Sequence, residues 1–222
     1  DIKLTNKGLP LTIKGSENPL PINYLENKGS AQVKSSIILA GLKTEGKTFI
    51  KSKPSRNHTE LLCKYLKLPL IVKKKKNYDL IEVEKAQKIK PLNYKIPSDI
   101  SSAAFFIVLT ALSNNSKLLI KNVNINPSRI SIITILKKMG VNIQFKNKKN
   151  YKGELLADIS ITSTKKLKPI NCPPKLNSGA IDEFLIIFLV AAKASGVSYF
   201  KDIGELNQKE SPRLKWGAKI LN

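Results

Sequence analysis

Three times along the chain the same order of elements returns: an apolar-periodic helix, a short strand, a second helix and a further strand. The first copy starts at Ser30, where the run to Leu42 has helical spacing and ends near Gly41. Thr48-Phe49-Ile50 reads as a strand, and Pro54-Ser55-Arg56-Asn57-His58-Thr59-Glu60 opens a helix through Leu66, with Asn57 and Glu60 at capping-box spacing. In the second copy Asp99-Ile100-Ser101-Ser102 opens a helix to Leu112, and Leu118-Leu119-Ile120 is a strand. Pro127-Ser128-Arg129 then opens a helix to Met139, which Gly140 stops before the run Val141-Asn142-Ile143. The third copy has a helix beginning around Ile181-Asp182-Glu183, a strand over Val197 to Phe200, and a final helix opened by Lys209-Glu210-Ser211-Pro212-Arg213. Such alternation predicts an α/β fold, with helices lining one side of small sheets.

The repeats give meaning to a rare residue. Of 39 basic residues only three are arginine, and Arg56, Arg129 and Arg213 each fall where the second helix of a copy opens. A chain that uses lysine nearly everywhere keeps the planar guanidinium there, the group that grips a carboxylate or phosphate through two parallel hydrogen bonds. Helix N-termini add unpaired amide donors and the positive end of the helix dipole. Arg129 is also compatible with simple packing at a helix junction.

A formal charge of +23 would ordinarily suggest a nucleic acid or another anionic partner. Here the lysines are scattered over the chain and aromatic residues make up only 6%, so no basic and aromatic stripe marks a strand-binding face. The run Lys73 to Lys76 lies between two strand-like segments and reads as a solvated hairpin turn. Charge alone leaves the partner open.

Two cysteines, Cys63 and Cys172, make no disulfide framework and have no metal-ligand spacing; Cys63 reads as a small core residue and Cys172 as a loop residue. A single histidine excludes a multi-histidine zinc site. The longest apolar run, Phe184 to Ala192, is far too short to span a bilayer, and Asp1-Ile2-Lys3 opens no secretory signal. The expectation is a cytoplasmic protein.

Six segments, in order, resemble the EPSP synthase family: Gly29 to Ser35, Pro54 to Glu60, Asp99 to Ala103, Asn126 to Arg129, Ile181 to Glu183 and Lys209 to Arg213. Each motif is weak alone, but six in the right order and spacing cover nearly the whole chain. The resemblance implies repeated βαβαββ units in the two-domain enolpyruvyl transferase fold, truncated at both ends. Residues 1–97 would belong to the first, shikimate-phosphate-side domain and residues 98–222 to the second. Helix N-termini of both domains would face a cleft that traps phosphorylated, carboxylated substrates.

The implied reaction moves the enolpyruvyl group of phosphoenolpyruvate to the 5-hydroxyl of shikimate 3-phosphate, releasing phosphate. By resemblance, Ser30, Ala31, Gln32, Arg56, Asp182 and Lys209 bind shikimate 3-phosphate, while Gln32 and Arg213 bind phosphoenolpyruvate. Asp182 and Glu210 are the implied catalytic carboxylates, positioned to exchange the protons that the 5-hydroxyl loses and C3 gains and loses. Cationic side chains would stabilise the charge developing on phosphate. No cofactor and no metal is implied, and the partners are the two small molecules, with neither nucleic acid nor membrane, acting on a monomer as is typical of the family. His58 reads as structural.

This sequence departs from the family pattern in several places. Asn207 stands where the family has Arg, and Pro212 where it has Asp. The family's opening lysine, its Gly-rich stretch and its late Arg and Lys have no counterpart, so the chain reads as a piece of a longer frame that is inactive alone. Three rival readings remain: a UDP-N-acetylglucosamine enolpyruvyl transferase, disfavoured because neither cysteine lies on a cleft-loop motif; a basic nucleic-acid-binding protein; and a non-catalytic remnant of the family.

Overall fold

A computed structural model describes residues 2–5 and 8–221, with side chains from residue 11 onward. The chain divides into two compact units, Asp1–Pro54 with Cys63–Lys90, and Ser55–Leu62 with Pro91–Asn222. No helix among the described residues is long and apolar enough to cross a membrane.

The first unit begins with an antiparallel hairpin, β1 (Ile2–Thr5) and β2 (Gly8–Ile13). Then follow β3 (Asn23–Glu26), α1 (Ala31–Gly41), β4 (Lys47–Ser52), the end of α2 (His58–Tyr65), whose first five residues belong to the second unit, β5 (Leu70–Lys74) and β6 (Asp79–Glu84), in βαβαββ order. The sheet runs β3-β4-β6-β5, with β3 parallel to β4 and the remaining pairs antiparallel. In β4, Thr48, Ile50 and Ser52 turn inward while Lys47, Phe49 and Lys51 stay exposed, the two-residue period of a strand covered on one face. Ile50 meets Ile38 and Leu42 of the α1 region, Ile81 and Val83 of β6, and Cys63, all at most 3% exposed. Each such aliphatic side chain contributes about 1.5–3 kcal/mol by leaving water. Cys63 is thus the core residue expected of it. Lys73 to Lys76 flank the turn between β5 and β6 and are exposed, as a solvated hairpin requires.

The second unit holds the other two copies. Ser98 makes a parallel bridge to Val123, a first strand reduced to one pair. Then come α3 (Ile100–Leu112), β7 (Lys117–Asn124), α4 (Ser131–Lys138), β8 (Asn142–Tyr151) and β9 (Glu154–Thr162), in an antiparallel sheet ordered β7-β9-β8. The third copy is shorter: β10 (Asn171–Cys172), α5 (Phe184–Lys193), β11 (Tyr199–Phe200) parallel to β10, and α6 (Arg213–Leu221). One apolar core joins these two copies, with Ala104, Ile107, Ile132, Ile135, Ile159, Phe184 and Ile187 fully buried. Cys172 departs from its expected loop role: it lies in β10, 2% exposed, and its burial pushes the thiol pKa up.

Helix ends were harder to place than helix bodies. Ser30 and Asp99 cap α1 and α3 where expected, accepting from Val33 N and Ser102 N at 3.3 and 3.0 Å. In contrast α4 begins at Ser131 rather than at Pro127, because the Asn126 side-chain oxygen accepts from Ser128 N (2.9 Å) and folds Pro127 to Arg129 into a turn. Likewise Ile181 to Glu183 form a turn ahead of α5, closed by Glu183 N to Ala180 O at 3.0 Å, and α6 starts only at Arg213. The polar motifs therefore sit on the turns that lead into helices.

Candidate active site

In the second unit the turn before α5 presents Asp182 to three cations. Arg56 donates from Nη2 to Asp182 Oδ2, Arg213 Nη1 lies 3.4 Å from Oδ1, and Lys209 Nζ lies 4.0 Å from Oδ1. The four side chains retain between 24% and 29% of their exposure, so they are half-buried yet reachable. Arg213 also donates to Glu210 Oε2 at 2.7 Å, and Lys209 pairs with Glu205 at 3.1 Å. Glu210 is 80% exposed and joins the group through its bond to Arg213.

Charge balance sets the state of these acids. Burial works against an ionised Asp182, but the Arg56 hydrogen bond and the charges of Arg56, Lys209 and Arg213 outweigh it and hold the carboxyl below the usual aspartate range. The Arg213 hydrogen bond lowers Glu210 in the same direction. Both carboxylates are therefore ionised at neutral pH, each tied to a cation. Such a group can accept an anion through its guanidinium and ammonium heads, and can take protons once those heads turn to the ligand.

Behind Asp182 lies a second network that sequence reading did not assign. Glu183, 3% exposed, accepts from Ser101 Oγ, and Ser101 Oγ accepts from Arg129 Nη2 at 2.5 Å; Arg129 also reaches Asp99 Oδ1 at 3.1 Å. Burial pushes the Glu183 carboxyl up, and the neighbouring Asp182 charge adds to this, against the opposing pull of Ser101 and Arg129. Arg129 thus serves the helix junction here, one of the two roles open to it from sequence.

Ser30, Ala31 and Gln32 belong to the first unit. Ser30 caps α1, and Ala31 and Gln32 are its first residues, Gln32 exposed. The loop before them is fixed by Glu26, whose buried carboxylate accepts from Lys28 N (2.9 Å) and Gly29 N (2.8 Å), while Gly29 takes φ +78°. Glu26 was not singled out in the sequence.

The two positions expected to depart from the family pattern have local roles. Asn207 Oδ1 accepts from Leu214 N at 3.1 Å, satisfying an amide at the start of α6, and the Pro212 carbonyl accepts from Trp216 N at 3.2 Å as the first bond of that helix. Among the described residues, no group of three or more His, Cys, Asp or Glu is arranged to hold a metal ion.

The family model described as EPSP synthase (3-phosphoshikimate 1-carboxyvinyltransferase) matches residues 1–222. A 3-phosphoshikimate 1-carboxyvinyltransferase of Ruthia magnifica subsp. Calyptogena magnifica is 42% identical over 222 residues, all of this chain and 50% of that protein. One from Zymomonas mobilis subsp. mobilis is 39% identical, covering 96% of this chain and 47% of its own length. In solved structures, EPSP synthase from Acinetobacter baumannii superposes with a TM-score of 0.85 at 37% identity, over 99% of this chain and 49% of that one. The enolpyruvyl transferase NikO from Streptomyces tendae shares the fold at a TM-score of 0.65 and 14% identity, over 92% of this chain and 50% of its own. The chain spans about half the length of the curated relatives it matches.

Proposed function

The chain belongs to the EPSP synthase (3-phosphoshikimate 1-carboxyvinyltransferase) family, and from that premise we propose that it carries the shikimate-3-phosphate site and the proton-transfer carboxylates of that enzyme. The reaction joins the 5-hydroxyl oxygen of shikimate 3-phosphate to C2 of phosphoenolpyruvate while C3 gains a proton; C3 then loses a proton as the C2–O bond to phosphate breaks. Arg56 and Lys209 bind shikimate 3-phosphate with Ser30, Ala31 and Gln32, and Arg213 binds phosphoenolpyruvate with Gln32. Asp182 takes the proton of the 5-hydroxyl, the Lys209 ammonium supplies the proton that C3 gains, and Glu210 takes the proton that C3 loses as phosphate leaves.

One observation supports this reading above the others: the cations assigned to substrate anions are those that hold the two carboxylates ionised. In the free protein these pairs keep Asp182 and Glu210 weakly basic. A phosphate or carboxylate that recruits Arg56 or Arg213 withdraws charge from its former partner, and the partner's proton affinity rises. Substrate binding would thereby arm the bases, and a proton acceptor would be strong only when the substrate is in place.

Isothermal titration tests the assignment. Arg56→Ala is expected to weaken shikimate 3-phosphate binding by at least about tenfold, roughly the worth of a charge-assisted hydrogen bond. Arg213→Ala is expected to spare that step and weaken phosphoenolpyruvate binding to the binary complex. Equal effects of both variants on both ligands would refute the division of labour.

A further inference from the structure

Arg56 is carried by a segment whose own anchors are polar. Residues 55–59 are all only partly buried, so little apolar surface holds them in the second unit. The two residues after Arg56 instead engage a buried pair, Asn126 (2% exposed) and Glu154 (6% exposed). Asn126 Nδ2 donates to Asn57 Oδ1 at 2.9 Å and to Glu154 Oε2 at 3.2 Å, and Glu154 Oε1 lies 2.6 Å from His58 Nδ1. The remaining capacity of Asn126 is used as well. Its side-chain oxygen accepts from Ser128 N and Oγ at 2.9 and 2.8 Å, so the amide has one orientation that satisfies all its partners.

We propose that Asn126 and Glu154, with His58 as the partner of Glu154, are positioning residues for Arg56: they clamp the backbone at 57 and 58 so that the guanidinium is held at Asp182 and at the shikimate ligand. Three physical points carry this. A buried carboxylate oxygen or amide hydrogen is costly to leave unpaired, so lifting residues 57 and 58 away removes His58 from Glu154 Oε1 and Asn57 Oδ1 from Asn126 Nδ2, and the segment stays down. The Arg56 side chain is long and rotamer-rich, so its backbone must be fixed if its head is to meet a ligand without a large loss of entropy. Finally, the Arg56–Asp182 bond cannot do this in the complex, because a ligand anion competes for the same guanidinium. The clamp lies outside the anion site and persists when that bond is given up.

The role in ligand binding rests on the functional reading above, whereas the role in holding Arg56 does not, and the test separates them. The chain has three arginines, so the side-chain Nε–H region of a ¹⁵N spectrum holds three signals. Asn126→Ala and Glu154→Ala are expected to shift or broaden the Arg56 signal and leave that of Arg213 in place. They should also weaken shikimate 3-phosphate binding by about tenfold or more, as small misplacements of a binding group do. Glu154→Gln, which keeps a hydrogen-bonding atom for each neighbour, should restore most of both. If Asn126→Ala fails to fold, His58→Ala, at a side chain 39% exposed, removes the partner of Glu154 and gives the same reading with less risk. An unmoved Arg56 signal overturns the proposal, as does movement of the Arg56 and Arg213 signals together, which would mark general loosening. A displaced Arg56 signal in a chain whose wild type binds no shikimate 3-phosphate leaves the clamp standing and removes the functional reading instead.

Discussion

Asp182 and Glu183 are neighbours in sequence with opposite electrostatic fates. Asp182 faces three cations and its carboxyl is lowered; Glu183 faces the interior and its carboxyl is raised. A lowered acid contributes stability above its unfolded pKa, about 3.9 for Asp, and loses it as pH falls through the folded value. Asp182→Asn should therefore destabilise the chain at pH 7 by roughly 1–3 kcal/mol, since Arg56 and Arg213 lose a charged partner, and the difference should shrink as pH falls below the unfolded value and through the folded one. A raised acid behaves inversely: it costs stability once the pH exceeds the unfolded value, about 4.3 for Glu. Glu183→Gln, whose side-chain oxygen can still accept from Ser101, should match wild type at pH 3 and exceed it at pH 8. Urea unfolding across that pH range checks both, and parallel pH dependence of the two variants would contradict the assignment.

At the scale of elements, the helix bodies of all three copies and strands such as β4, β7 and β11 were legible because apolar periodicity reports the burial that builds them, whereas β3, β9 and β10 carried no strand reading and Cys172 of β10 read as loop. The entry turns were less so. Asn126 diverts Pro127 to Arg129 from α4 by offering its side-chain oxygen to the Ser128 amide, a local competition that periodicity does not register. Much of the candidate site was legible too, through Asp182, Lys209 and two of the three arginines, Arg56 and Arg213, in a lysine-rich chain. Glu154 was not, because its partners Asn126 and His58 are far away in sequence and only the fold brings them together. The helix stop at Gly140 was read correctly and has a physical basis: its φ is +92°, and a β-carbon there would lie 3.3 Å from the Lys166 carbonyl oxygen. Gly140→Ala should cost about 1–2 kcal/mol for the left-handed backbone alone, read as a lower urea midpoint with unchanged slope.

For the molecule as a whole, a charge of +23 makes non-specific attraction to anions unavoidable, and the reading must stand apart from it. Salt offers the discrimination: scattered exposed lysines are screened beyond about 8–10 Å at physiological ionic strength, whereas a half-buried cluster with a carboxylate at its centre is screened less. Protein made from the complete reading frame, given shikimate 3-phosphate and phosphoenolpyruvate, provides the most direct trial. Inorganic phosphate release should require both substrates and fall by about 10²–10⁴-fold in Asp182→Ala, the usual worth of a positioned acid or base. Release that is absent in the wild type, or undiminished in Asp182→Ala, would contradict the account.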